Sequence, residues 1–493
     1  MFARTNGPTW LPLARRRIRH GSSSAKRPAS VLSSPSAASM PPPPPQSPES
    51  EAALRPQPFI PKPLSRSYQV ASLSPSSRSP HQSTTIALQR GSTAKLELEL
   101  PNLFLRDASV HPSHVHPASQ QKLFRTSDVP LDAHVVGYGV HEIAGEDHLV
   151  MEWSRPVHGV DPKSAKLSVT PLSLLVKVFE GKSKKDVVPK AKTWDRQALV
   201  SRLKTIEYAD FVRSDQTLFD VVDAMLKDGL VFLKNVPTRE KQGQETELRQ
   251  LVTRIASVRR TWYGDLFDVK AEQGSKNIAY TNLDLGLHMD LTHFAHPPRW
   301  QFLHSLLNGG VTGGSSYFVD SYAVALSIRS IGPSAFDVLG RELVRFEYKN
   351  GDYHTRYDRP VIELSPESTP LDPIITAINY SPPFQGPLPL PSTPDAADRL
   401  AKLHQALQLF AQQCDDPAFR YDTQLQPGDC ALFDNRRVLH ARTAFEFERD
   451  AQVMETIDEQ ERGRWLKGAY ADGDEVLSRW RVLNAKKGRN ELN

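Results

Sequence analysis

Leu287-His288-Met289-Asp290-Leu291 lies just past the middle of this 493-residue chain, and about 150 residues later comes Val438-Leu439-His440-Ala441-Arg442. A His-x-Asp pair plus one distant His is the ligand set that holds non-haem Fe(II) on one face of an octahedron, leaving the opposite face open. Residues i and i+2 of a strand point the same way, so one short strand can present both His288 and Asp290. The third ligand, His440, must then come from another strand of the same barrel.

With sixteen histidines in the chain, a bare His-x-Asp is weak evidence, and its surroundings carry the reading. Gly313-Gly314 follows the apolar pairs Phe302-Leu303 and Leu306-Leu307, as expected where a strand turns sharply. Pro427-Gly428-Asp429 is a turn signal that leads into Cys430-Ala431-Leu432-Phe433, a short apolar run that reads as a buried strand. That strand delivers Asp434-Asn435 and, after a turn, His440. Arg464 lies further on, and an oxygenase that consumes 2-oxoglutarate needs such a cation to pair the far carboxylate of a desolvated cosubstrate.

These pieces carry a resemblance. Trp262-Tyr263-Gly264, Asn277-Ile278-Ala279-Tyr280-Thr281, the His288 motif, Val311-Thr312-Gly313-Gly314, Ile378-Asn379-Tyr380, Pro427-Gly428-Asp429, the run from Phe433 to His440, and Gly468-Ala469-Tyr470-Ala471-Asp472 follow in order over more than 200 residues. The chain resembles the gamma-butyrobetaine and trimethyllysine dioxygenases of the taurine-dioxygenase-like Fe(II)/2-oxoglutarate oxygenases. Its Gly-Ala-Tyr-Ala-Asp element is closer to the gamma-butyrobetaine branch.

The resemblance implies a mainly β fold with flanking helices, a double-stranded β-helix (jelly-roll) oxygenase core behind a small N-terminal α+β domain. It implies His288, Asp290 and His440 as iron ligands, and Arg464 as partner of the 2-oxoglutarate 5-carboxylate. Extra residues between His440 and Arg464, a charged run over 455–464, leave Arg442 as the alternative. Thr312 and Leu303 are expected to line the cosubstrate pocket. Tyr263, Phe267, Tyr280 and Tyr470 fall where the family builds a trimethylammonium cage, since ring faces hold a cation that cannot donate a hydrogen bond. Asn277 and Asn379 are candidates for the substrate's polar end.

The implied reaction is O2-dependent hydroxylation of gamma-butyrobetaine to L-carnitine, with 2-oxoglutarate as cosubstrate and ascorbate as accessory reductant. N6-trimethyllysine, or an orphan substrate of the same family, is the near alternative; a non-catalytic barrel acting as a binding module is the distant one. Relatives commonly pair as homodimers.

Residues 1–48 hold seven Lys or Arg and no Asp or Glu, so the formal charge of +5 becomes 5 − 7 = −2 for the remainder. The basic balance belongs to that segment, not to a nucleic-acid surface. Its Arg15-Arg16-Arg17-Ile18-Arg19 run and its lack of acids read as a mitochondrial transit peptide, destined for the matrix; a basic tail of a cytoplasmic protein is the other reading. Residues 49–89, rich in Ser, Pro and Gln, are expected to be disordered. Residues 90–185 form the small domain, 186–210 a polar connector, and 211–485 the oxygenase domain. Helices are expected over 217–230, 248–255 and 396–414.

In the small domain the family often binds zinc through three cysteines and a histidine. Here Ser109, His111 and His114 occupy the cysteine positions and His158 matches the histidine. Three histidines can hold zinc, though Ser109 cannot replace a thiolate. Two cysteines, Cys414 and Cys430, exclude a disulfide framework. No apolar run approaches the ~20 residues that span a bilayer. Neither a membrane nor a nucleic-acid partner is expected.

Overall fold

The structure is a computed structural model that describes residues 68–90, 94–143, 145–179, 189–238, 246–270, 284–447 and 463–490. The transit-peptide segment, Asn277, Tyr280 and most of the charged run before Arg464 lie outside these residues.

Two β-sheets face each other. One has six strands in the order Thr205–Glu207, Leu230–Lys234, Cys430–Asp434, Trp300–Gly309, Gly463–Ala471, Leu266–Lys270. The other has four, Leu285–His288, Val438–Arg442, Ser316–Asp320 and Arg420–Thr423. Phe318 of the four-stranded sheet meets Phe433 and Phe232 of the six-stranded one edge-on, at 5.5 and 5.8 Å between ring centres. The period of two sorts each strand between layers. Along Trp300–Gly309, Trp300 and Phe302 pack outward against helices, while Gln301 and Leu303 turn toward the space between the sheets. Cys430–Asp434 is buried throughout, as its unbroken apolar run foretold.

Helices cover both outer faces. Asp215–Asp228, Glu247–Ile255 and Gly473–Asn490 lie on the six-stranded sheet; Ser321–Ile331, Pro333–Arg341 and Ala396–Asp415 lie on the other. The expected helices are present to within two residues at each end. Asp215–Asp228 begins where the Ser214 hydroxyl accepts the Thr217 N–H and stops at Gly229, whose φ of 75° only glycine adopts freely. A Cβ there would press on Val438 at 3.2 Å, so the helix end seats directly on the strand that carries His440.

Two expected boundaries are corrected. Disorder does not run to residue 89, because Gln69–Pro75 and Ser83–Arg90 are strands paired with Ala94–Pro101. Ser and Thr dilute the composition there, yet Ile86 and Leu88 are fully buried with Leu149, Met151 and Trp153, residues of a second three-stranded sheet, Val135–Ile143, Glu146–Trp153 and Leu167–Pro171. Nor is 186–210 merely a connector. It contains the helix Arg196–Arg202 and the parallel edge strand Thr205–Glu207. Trp194 is buried, and its backbone N–H donates to Asp320 Oδ2 at 2.9 Å. The Arg437 guanidinium grips the same carboxylate at 2.7 and 3.0 Å. A single Trp leaves no periodic trace, which is why the pattern missed it.

His114 and His304 are almost wholly buried, and burial pushes both imidazoles down to about 4, with Arg106 adding to the effect at His114. The folded state therefore holds them neutral, while the unfolded chain protonates them from about pH 6.5 downward. Stability should fall as pH drops from 6.5 toward 4, by about 1.4 kcal/mol per unit for each such histidine. Urea unfolding at pH 7, 5.5 and 4.5 checks this, and a His304→Gln variant should show a shallower decline than wild type.

Candidate active site

His288 ends the strand Leu285–His288 and stands directly opposite His440 on the antiparallel neighbour Val438–Arg442. Their ring centres are 4.2 Å apart. Asp290 is not on the same strand, as had been expected, but in the turn just beyond it. Leu291, with φ of 58°, helps to make that turn. Asn435 fixes it. Its Oδ1 accepts the Asp290 N–H at 2.8 Å, and its Nδ2 donates to the carbonyls of Asp290 and Pro298 at 3.0 and 3.1 Å.

Asp290 Oδ1 then lies 3.3 Å from His288 Nε2 and 3.9 Å from His440 Nε2. All three potential ligand atoms fall within 4.8 Å of one another. Metal bonds of ~2.1 Å at right angles place ligand atoms roughly 3 Å apart, so a small contraction around an ion suffices. His288 Nδ1 is 2.8 Å from the Gly286 carbonyl, which requires its proton there and leaves the Nε2 lone pair free for a metal. Burial, reinforced by His288, pushes the His440 imidazole down to about 3. Burial alone would raise the Asp290 carboxyl, but the hydrogen bond and charge of His288, together with His440 and Tyr470, hold it below the usual carboxylate range. Asp290 and His440 are thus in ligating form at neutral pH. Two imidazoles and one carboxylate are the donor set for Fe(II) with open positions.

These ligands border a cavity between the sheets of about 870 Å³, mouth included. Arg464, Arg442 and Leu303 all line it. Arg464 is 8% exposed, and its guanidinium has no carboxylate partner among the described residues; its contacts are the Gly314 carbonyl at 3.5 Å and the face of Phe445. Burial and the neighbouring Arg442 push it down to about 10. Gly314 lets it approach, since a Cβ there would meet Arg464 Nε at 3.2 Å. A buried cation of this kind requires an anion.

A family model, "Taurine catabolism dioxygenase TauD, TfdA family", matches residues 192–470. The chain belongs to this family. It is 38% identical over 79% of its length to "Dioxygenase str8" of Strobilurus tenacellus, covering 86% of that protein. It is 32% identical over 78% of its length to gamma-butyrobetaine dioxygenase of Pseudomonas sp. (strain AK-1), covering 90% of that enzyme. To trimethyllysine dioxygenase of Meyerozyma guilliermondii it is 24% identical over 80% of its length and 92% of the enzyme's. The chain is therefore an Fe(II)/2-oxoglutarate-dependent dioxygenase, of the gamma-butyrobetaine and trimethyllysine type.

Within this TauD-type site, three of the four expected cage aromatics come together. Tyr263 and Phe267 are 6.2 Å apart, and Phe267 stacks on Tyr470 at 4.9 Å. Two expected residues do not reach the cavity. Thr312 is exposed on the short strand Val311–Gly313, opposite Glu446. Asn379 is buried elsewhere: its Nδ2 donates to the Pro360 carbonyl and to Glu363, and its Oδ1 accepts from Arg436 at 2.7 Å, so its side chain is fully engaged in the scaffold. The histidines weighed as a doubtful zinc site do not come together as one. Among the described residues His111, His114 and His158 do not form a metal-ligand group. His111 Nδ1 and His114 Nδ1 are bonded to Ser113 and Ser109, and His158 is exposed.

Sequence reasoning missed Gln301, His293 and Phe384, which also line the cavity, and gave Asn435 no role. Gln301 had a signal: a lone amide inside the apolar run Trp300-Gln301-Phe302-Leu303. His293 stands in a turn and Phe384 ends the short 3-10 helix Pro382–Phe384, where no periodicity marks them.

Replacing His440 or His288 with Ala should abolish stoichiometric Fe(II) binding and, with it, 2-oxoglutarate-dependent succinate formation. Iron analysis of the anaerobically loaded protein and a succinate assay check both.

Proposed function

We propose that this enzyme hydroxylates gamma-butyrobetaine to L-carnitine, converting 2-oxoglutarate and O2 to succinate and CO2. The observation that carries the reading is the aromatic wall of Tyr263, Phe267 and Tyr470 bordering the same cavity as the ligand triad. Ring faces attract a trimethylammonium group that offers no hydrogen-bond donor. The similarity to the Pseudomonas gamma-butyrobetaine dioxygenase supports it. The two-sheet core is read as the family's double-stranded β-helix.

His288, Asp290 and His440 would hold Fe(II), which with 2-oxoglutarate and O2 supplies the oxidising power for an unactivated C–H bond. Arg464 pairs with the far carboxylate of the cosubstrate, assisted by Arg442. Leu303 and Leu466 exclude water around it. The aromatic wall fixes which carbon of the substrate faces the centre, so the protein's contribution is position rather than proton transfer. Tyr280 and Asn277 complete the substrate site in this proposal. Ascorbate as accessory reductant, a homodimer and a mitochondrial destination belong to the same proposal; the last rests on the basic N-terminus and on likeness to the mitochondrial trimethyllysine dioxygenase of Bos taurus.

A second reading is favoured by one observation. Phe267 and Tyr470 stack nearly parallel, with 21° between planes, so part of each face is turned to the other ring rather than to a cation. An uncharged substrate suits such a wall.

Succinate release should be stimulated by gamma-butyrobetaine well above the substrate-free rate. Stimulation by N6-trimethyllysine alone would move the substrate and keep the chemistry; stimulation by neither would favour the uncharged substrate. Arg464→Met should raise the KM for 2-oxoglutarate at least ~10-fold, because it removes the partner of a buried carboxylate. An unchanged KM would transfer that role to Arg442.

A further inference from the structure

We propose that Tyr470 and Gln301 are positioning residues of the metal centre, which together hold Asp290 to coordination through a single oxygen. The inference rests on the metal-site reading above and adds to it a role for a ring otherwise assigned to substrate. Asp290 Oδ2 accepts two hydrogen bonds, from the Tyr470 hydroxyl at 2.7 Å and from Gln301 Nε2 at 2.7 Å. Oδ1, by contrast, faces both imidazoles.

The clamp is built into the sheet. Gln301 and Tyr470 are direct partners on adjacent antiparallel strands, so their side chains leave the same face side by side. They reach across from the six-stranded sheet to a carboxylate carried by the end of the four-stranded one. Behind them, Phe267 lies opposite Gly468, where any Cβ would run into its ring. That vacancy lets Phe267 lie flat and stack on Tyr470. The tyrosine is thereby braced on its ring and bonded at its hydroxyl.

The chemistry explains why such a clamp is useful. An octahedral ion with three protein ligands keeps three positions, two for a chelating 2-oxo acid and one for O2. A carboxylate that swung to bind through both oxygens would close one of them. Two donors on Oδ2 oppose that swing, and charge-assisted bonds of this kind are among the stronger ones. The same tyrosine also borders the substrate wall, so metal geometry and substrate contact share one side chain.

The test is anaerobic titration of the full chain with Fe(II) alone, followed by calorimetry, comparing wild type, Tyr470→Phe and Gln301→Leu. Tyr470→Phe keeps the ring and removes only the hydroxyl. We expect the Kd for Fe(II) to rise about 10- to 100-fold in each variant, as loss of outer partners of metal ligands commonly does, with the far-UV circular dichroism of the metal-free protein unchanged. If both variants bind Fe(II) as tightly as wild type, the positioning role is overturned while the metal centre stands. If wild type itself binds no Fe(II), the metal-centre reading falls, and this inference with it. Should one variant fail to fold, the other decides.

Discussion

The antiparallel pairing of His288 with His440 is the constraint on which the site depends. It sets two imidazoles side by side on neighbouring strands, tilted 43° to each other and bordering the cavity between the sheets. A slip of one residue would turn Leu439 or Ala441 inward and send His440 toward the helices, because side chains alternate along a strand. His440 is held in this register from the other side as well, opposite Phe318 of Ser316–Asp320. Leu439 and Ala441 meanwhile pack in the core formed with the helices Ser321–Ile331 and Ala396–Asp415. The apolar layers therefore fix the polar one.

The turn Asn435-Arg436-Arg437 joins Cys430–Asp434 to Val438–Arg442, and each polar side chain from Asp434 to Arg437 ties down a different piece of the molecule. Asp434 accepts from Arg299 at 2.7 Å. Asn435 holds the backbone of Asp290. Arg436 reaches Asn379 and Glu363. Arg437 grips Asp320, which in turn receives the Trp194 backbone and caps the helix Ser321–Ile331. Buried charges are tolerable only when paired and hydrogen-bonded, and here each is. The cation of Arg464 stands apart from this pattern, buried in the cavity wall with no carboxylate beside it among the described residues. A structural arginine is paired from within the fold; this one faces the cavity that the ligands border.

Much of this was legible in the chain. The His-x-Asp and distant His are chemistry written in residue types; strand pairing brings the two histidines together, and Asp290 joins them from the turn beyond its expected strand. The amphipathic helices announced themselves by periodicity. What escaped shares a physical cause. The strands Gln69–Pro75 and Ser83–Arg90 are stabilised by pairing and by a few buried residues such as Ile86 and Leu88, against a Ser-rich composition that favours disorder. Asn379 sat in a matching motif, but a motif does not say whether an amide faces a ligand or a neighbouring guanidinium. Thr312 failed in the same way. Gln301 and Tyr470 converge on Asp290 only through the register of two strands more than 150 residues apart in sequence, which no local pattern encodes.

The most direct measurement of the central claim is anomalous diffraction at the iron edge from crystals of the protein loaded anaerobically with Fe(II). The account predicts one strong peak, about 2.1 Å from His288 Nε2, Asp290 Oδ1 and His440 Nε2, with Asp290 Oδ2 turned away toward Tyr470 and Gln301. Iron bound elsewhere, or no ordered iron between these three atoms, would contradict it.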